Sequence, residues 1–97
     1  MTTAALTTEY TANLVTAIAA AGHAQLDPMM GSLYVQIRCD AQLYATPGWE
    51  GVALSWCVCT DCGAVPAHGE VEITWTGDLQ ADVELYRVAL EALVAAC

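Results

Sequence analysis

Leu33-Tyr34-Val35-Gln36-Ile37-Arg38-Cys39-Asp40-Ala41-Gln42-Leu43-Tyr44 alternates apolar and polar side chains more cleanly than any other stretch of the chain. Leu33, Val35, Ile37, Cys39, Ala41 and Leu43 fall on one side. Tyr34, Gln36, Arg38, Asp40, Gln42 and Tyr44 fall on the other, and this period of two predicts a half-buried β-strand over 33–44. A strand with one apolar face needs other strands beside it and a second layer over it.

The flanking segments supply both. Upstream, Leu6, Tyr10, Leu14, Ala17, Ile18 and Ala21 recur at helical spacing, with Thr7 or Thr8 as N-cap and Gly22 at the C-terminal end. A loop over 23–32, with Asp27-Pro28 and Gly31, leads into the alternating stretch. Downstream, Pro47-Gly48 marks a turn, and Val52, Leu54, Trp56 and Val58 alternate in a second strand. A loop over 60–69 precedes a third strand built on Val71, Ile73 and Trp75. Asp78 then caps a closing helix in which Leu79, Val83, Tyr86, Leu90 and Cys97 share a stripe.

The fold class predicted is α+β. It is a two-layer sandwich of an antiparallel three-stranded meander with the N- and C-terminal helices on one face, forming a single domain over 1–97. Double-stranded-RNA-binding domains share this element order. Their basic residues at the start of the last helix are replaced here by Asp78, Asp82 and Glu84, so the likeness is one of arrangement and not of family.

Charge narrows the partners. Eleven acidic residues face two arginines and no lysine across 97 residues, a formal net charge of −9. Phosphate recognition needs the opposite balance, so neither nucleic acid nor an anionic membrane is expected as a partner. A protein with a basic surface is. No window reaches the roughly 20 apolar residues of a membrane span, and Met1-Thr2-Thr3-Ala4-Ala5 lacks the basic start of a secretory signal. The expectation is a cytoplasmic protein with reduced thiols. A composition rich in alanine and free of lysine and phenylalanine suits a high-GC bacterium or its phage.

Five cysteines carry the only candidate chemistry. Placing Leu33, Val35 and Ile37 on the same face as Val52, Leu54 and Trp56 makes the numbers of cross-strand partners add to an odd sum, near 95 for a turn at Pro47-Gly48. Cys39 is then expected opposite Trp56 in the core, and Cys57 opposite Arg38 on the open face. Cys57, Cys59 and Cys62 with His68 form a Cys3His set suited to tetrahedral Zn²⁺. Cys59-Thr60-Asp61-Cys62-Gly63 resembles a zinc knuckle, though the second such pair is missing. A thiol-active Cys57 beside Arg38, or a Cys59/Cys62 redox pair, is disfavoured by the acidic surroundings and by the lack of a following helix. Small reduced side chains without a cofactor are the favoured expectation, with zinc as the alternative.

No nucleophile elbow, phosphate-binding loop, dinucleotide fingerprint or H-E-x-x-H motif is present, so no enzyme is expected. The uncovered sheet face is expected to carry Tyr34, Gln36, Arg38, Tyr44, Ser55, Cys57, Cys59, Glu72 and Thr74. Trp49 is the one large aromatic that the pattern leaves outside the core. Tyrosine, tryptophan and arginine together suit a protein contact. The expected function is a non-enzymatic interaction module, an acidic adaptor or inhibitor acting alone or as a homodimer, with Tyr34, Gln36, Arg38, Tyr44 and Trp49 as its interface.

Overall fold

A computed structural model describes residues 7–29, 31–60 and 67–96. Helix α1 (Thr8–Ala20) begins where the Thr7 hydroxyl oxygen accepts the Tyr10 amide at 3.0 Å, and Gly22 follows its last turn at φ 81°. The chain then enters an antiparallel sheet of five strands in sequential order: β1 (Gln25–Leu26), β2 (Leu33–Arg38), β3 (Ala41–Pro47), β4 (Leu54–Thr60) and β5 (His68–Val71). Helix α2 (Leu79–Ala96) closes the chain. This is the expected α+β arrangement, helix, antiparallel sheet, helix, with five strands in place of three.

The largest departure lies in the alternating stretch. Residues 33–44 are not one strand but a hairpin, reversing at Cys39-Asp40 and paired through Tyr34↔Tyr44, Val35↔Leu43 and Gln36↔Gln42. A turn of two residues alone, with Arg38 opposite Ala41, would set Gln36 across from Leu43 and mix polar with apolar partners. A bulge between Gln36 and Arg38 absorbs one residue and restores the match. Odd-numbered residues therefore stay on one face through the reversal, and the period of two is preserved. The Arg38 Nε to Asp40 Oδ1 contact, 3.2 Å, spans the turn.

The hairpin relocates the cysteines. Between β3 and β4 the pairs are Leu43↔Val58, Tyr44↔Cys57, Ala45↔Trp56 and Pro47↔Leu54. The expected parity holds but the ladder is displaced by six residues. Cys39 is exposed in the turn and not in the core opposite Trp56, and Cys57 faces Tyr44 and not Arg38. The third strand also begins earlier than its alternation suggests. It runs His68–Val71 and pairs Cys57↔His68 and Leu54↔Val71. Residues 72–76 continue without ladder pairs because β4 begins at Leu54, leaving no strand beside them. Ile73 and Trp75 still pack against the core, and Trp75 Nε1 donates to the Ala53 carbonyl at 3.2 Å.

Both helices cover the odd-numbered face. Leu14, Val15 and Ile18 of α1 meet Tyr86 and Leu90 of α2 above Leu33, Leu43, Ala45 and Leu54. Tyr86 is fully buried, and its hydroxyl donates to the Ala45 carbonyl at 2.7 Å, so its polar atom is satisfied inside the core. The α1/α2 junction rests on an acid that the sequence places only at the start of the last helix. Asp82 is fully buried and accepts from the Thr76 amide (2.8 Å), the Thr76 hydroxyl (2.8 Å), the Gly77 amide (3.1 Å) and, in a short bond, the Tyr10 hydroxyl of α1. Burial alone would raise its pKa; these four donors outweigh that and hold it below the ordinary carboxylate value. Tyr10, half-buried and next to this charge, is pushed up to about 12.

Candidate binding pocket on the open sheet face

Even-numbered residues of β2 before the bulge and of β3, and odd-numbered residues of β4, point away from the helices. Across the ladder they form rows: Tyr34 and Tyr44 with Cys57 and His68, Gln36 and Gln42 with Cys59, Thr46 with Ser55 and Glu70. The hairpin brings Tyr34 and Tyr44 together with ring centroids 5.4 Å apart and planes tilted by 35°. On one continuous strand, ten residues of separation would put them about 33 Å apart. Tyr34 donates to Gln25 Oε1 at 3.1 Å, and Gln42 Nε2 donates to Gln36 Oε1 at 3.2 Å, so the polar groups of this face support one another.

A cavity of about 400 Å³ opens on this face, walled by Tyr44, Trp49, Trp56, Cys57 and Cys59, with hydroxyls from Ser32, Thr46 and Ser55. Trp49 reaches it because Pro47-Gly48 turns the chain out of β3 into a single 3-10 turn (Trp49–Gly51), with Gly48 left-handed at φ 70°. The indole remains 39% exposed. Thr46 is held in place, its hydroxyl accepting the Leu33 amide at 3.2 Å. The walls are largely apolar and the polar groups are few, the usual composition of a recognition pocket.

Cys57 and Tyr44 are held in their neutral forms at physiological pH. Burial pushes the Cys57 thiol up to about 11, reinforced by the neighbouring Cys59. Tyr44 is raised by burial and by the charge of Asp27. The proximity of Arg38 that would have favoured a Cys57 thiolate is absent. Arg38 lies past the bulge, paired with Ala41, and lines a separate cleft with Trp56, Val58 and Leu93.

No protein-family model, curated protein or solved structure matches this chain. The pocket is therefore interpreted from its own groups. Of the proposed zinc set, Cys57 and His68 are direct cross-strand partners and Cys59 lies two residues along the same face; Cys62 is outside the described residues. Among the described residues, no group of three or more histidine, cysteine, aspartate or glutamate side chains is arranged to hold a metal ion. Of the proposed interface set, Tyr34, Gln36 and Tyr44 share the open face, Trp49 walls the pocket, and Arg38 sits at the hairpin end.

Sequence reading missed Thr46 on this face and placed Glu72 and Thr74 where His68 and Glu70 stand. The Asp40 turn signal and the unusual 12-residue length of the alternating stretch were the available clues, since strands usually span 3–10 residues.

Exposure and protonation predict an order of thiol reactivity. At pH 7.5 iodoacetamide should modify Cys39, in its exposed turn, at least tenfold faster than Cys57, as read by peptide mass mapping. Faster modification of Cys57 would show an activated thiol and contradict this account of the pocket.

Proposed function

We propose that this protein is a non-enzymatic interaction module that binds a protein partner of basic surface through its open sheet face. The observation that carries the proposal is the pocket itself, a concave, largely apolar cavity between Tyr44 and Trp49, continuous with the Tyr34/Tyr44 pair on a face that neither helix covers. Aromatic residues around a recess are the usual anchors of protein recognition. Charge favours the partner's sign. Both arginines are engaged with acids, Arg38 with Asp40 and Arg87 with Glu84 and Glu91, while Asp27 and Glu70 stand beside the pocket residues. A net charge of −9 on each copy opposes self-association and steers a cationic partner toward the face.

The test is affinity capture from cells that express the protein, followed by binding measurements with the captured partner. Tyr44→Ala and Trp49→Ala should each weaken binding at least tenfold, and added salt should slow association. Arg87→Ala, remote on α2, should leave binding unchanged. Equal binding by all variants would reject the open face, and a concentration-dependent dimer in light scattering would put a second copy in the partner's place.

A further inference from the structure

Cys57 and Cys59 stand two residues apart on β4, both directed to the open face, both half-buried, and both lining the same recess. The ladder fixes them on either side, through Tyr44↔Cys57↔His68 and Gln42↔Cys59. Two strand steps separate their α-carbons by about 6.7 Å, at the upper limit of what a disulfide spans, so the extended backbone opposes closure of a disulfide between them. The thiols remain available as a pair inside an apolar recess.

We propose that Cys57 and Cys59 form a two-thiolate site for a soft monovalent cation, Cu(I). Soft sulfur donors select this ion over harder ones, and Cu(I) accepts two ligands in a linear arrangement, whereas zinc demands four. Two sulfur donors on one face, two residues apart on one strand, suit an ion that is satisfied by two ligands. Tyr44 and Trp49 provide the shell that restricts water at the sulfurs and so protects the reduced metal, and the chain's net charge of −9 draws cations toward it. On binding, two S–H bonds break and two Cu–S bonds form. Two protons pass to solvent, and copper stays in the +1 state throughout.

The experiment is an anaerobic titration with Cu(I), buffered by a bicinchoninate competitor, read by metal stoichiometry and tryptophan fluorescence. It needs no protein partner, so its outcome is independent of the interaction proposal. The full chain carrying Cys39→Ser, Cys62→Ser and Cys97→Ser, which keeps only Cys57 and Cys59, should bind one Cu(I) with quenching of Trp49 emission. Adding Cys57→Ser or Cys59→Ser should weaken that binding at least 100-fold. The proposal is overturned if the folded triple variant does not bind Cu(I), or if equimolar Zn²⁺ displaces it. Should the triple variant fail to fold, single Cys57→Ser and Cys59→Ser variants decide: unchanged tight binding by either overturns the site.

Discussion

Asp82→Ala should destabilise the protein by about 3 kcal/mol, lowering the melting temperature on the order of 15 °C. The effect is large because the carboxylate is fully buried and its loss strands several donors at once: two backbone amides, the Thr76 hydroxyl and the Tyr10 hydroxyl. Thr76 and Gly77 precede α2, so the same change releases the entry of that helix and its tie to α1. Asp82→Asn keeps the shape but turns a donor group toward donors and should recover only part of the loss.

The pH dependence has a definite sign. The folded-state pKa of Asp82 is depressed, so its stabilisation is fully present above the ordinary value near 3.8 and is lost as the pH falls through the lower folded-state value. Tyr10→Phe removes one of the lowering hydrogen bonds, and should move this acid transition to higher pH. Denaturant melts of the three variants from pH 7 to pH 2 test both statements. An Asp82→Ala variant as stable as the wild type at pH 7 would show that the network contributes nothing.

Gly69→Ala should cost about 1–3 kcal/mol although it adds a single methyl group. Trp56 lies across Gly69 in the β4/β5 ladder, and a β-carbon there would stand 2.8 Å from the indole Nε1 and Cζ2. The indole is a rigid plane packed against the core, so either it or the strand must move. Trp56 packs against the core, so its near-ultraviolet circular dichroism should change together with stability. A double variant, Gly69→Ala with Trp56→Leu, should restore much of the loss relative to Trp56→Leu alone. If Gly69→Ala melts like the wild type, the observed pairing of β4 with β5 is wrong.

The alternation of residues 33–44 shows what a pattern of period two contains. It assigns each side chain to a face, and away from the turn those assignments survive: Leu33, Leu43 and Ala41 are buried, while Tyr34, Gln36 and Tyr44 are on the open side. It does not record whether the chain reverses. A two-residue turn shifts parity by one and a bulge shifts it back, so the hairpin and a single long strand have the same pattern. Every misplacement of a cysteine follows from that degeneracy. Once Cys39-Asp40 becomes a turn, β3 runs on to Pro47, and the partners of β4 move six residues along.

Asp82 was legible as an acid in the first turns of a helix, but its burial was not. Sequence spacing relates it to Thr76 and Gly77, whereas the Tyr10 hydroxyl comes from 72 residues away. Only packing of α1 against α2 closes that network.

What the sequence by itself determined is the assignment of faces outside the turn, the ends of α1 and the helix–sheet–helix arrangement, because these depend on local periodicity, capping and turn chemistry. Thr7 capped α1 and Gly22 followed it, as their chemistry demands. Tertiary structure alone decided the register, the Tyr34/Tyr44 contact, the pairing of Cys57 with Tyr44 and His68, and the recess beneath Trp49. Each of these depends on where the chain reverses, and that choice is made by the whole core, since the hairpin doubles the alternating stretch back into two paired strands beneath α1 and α2.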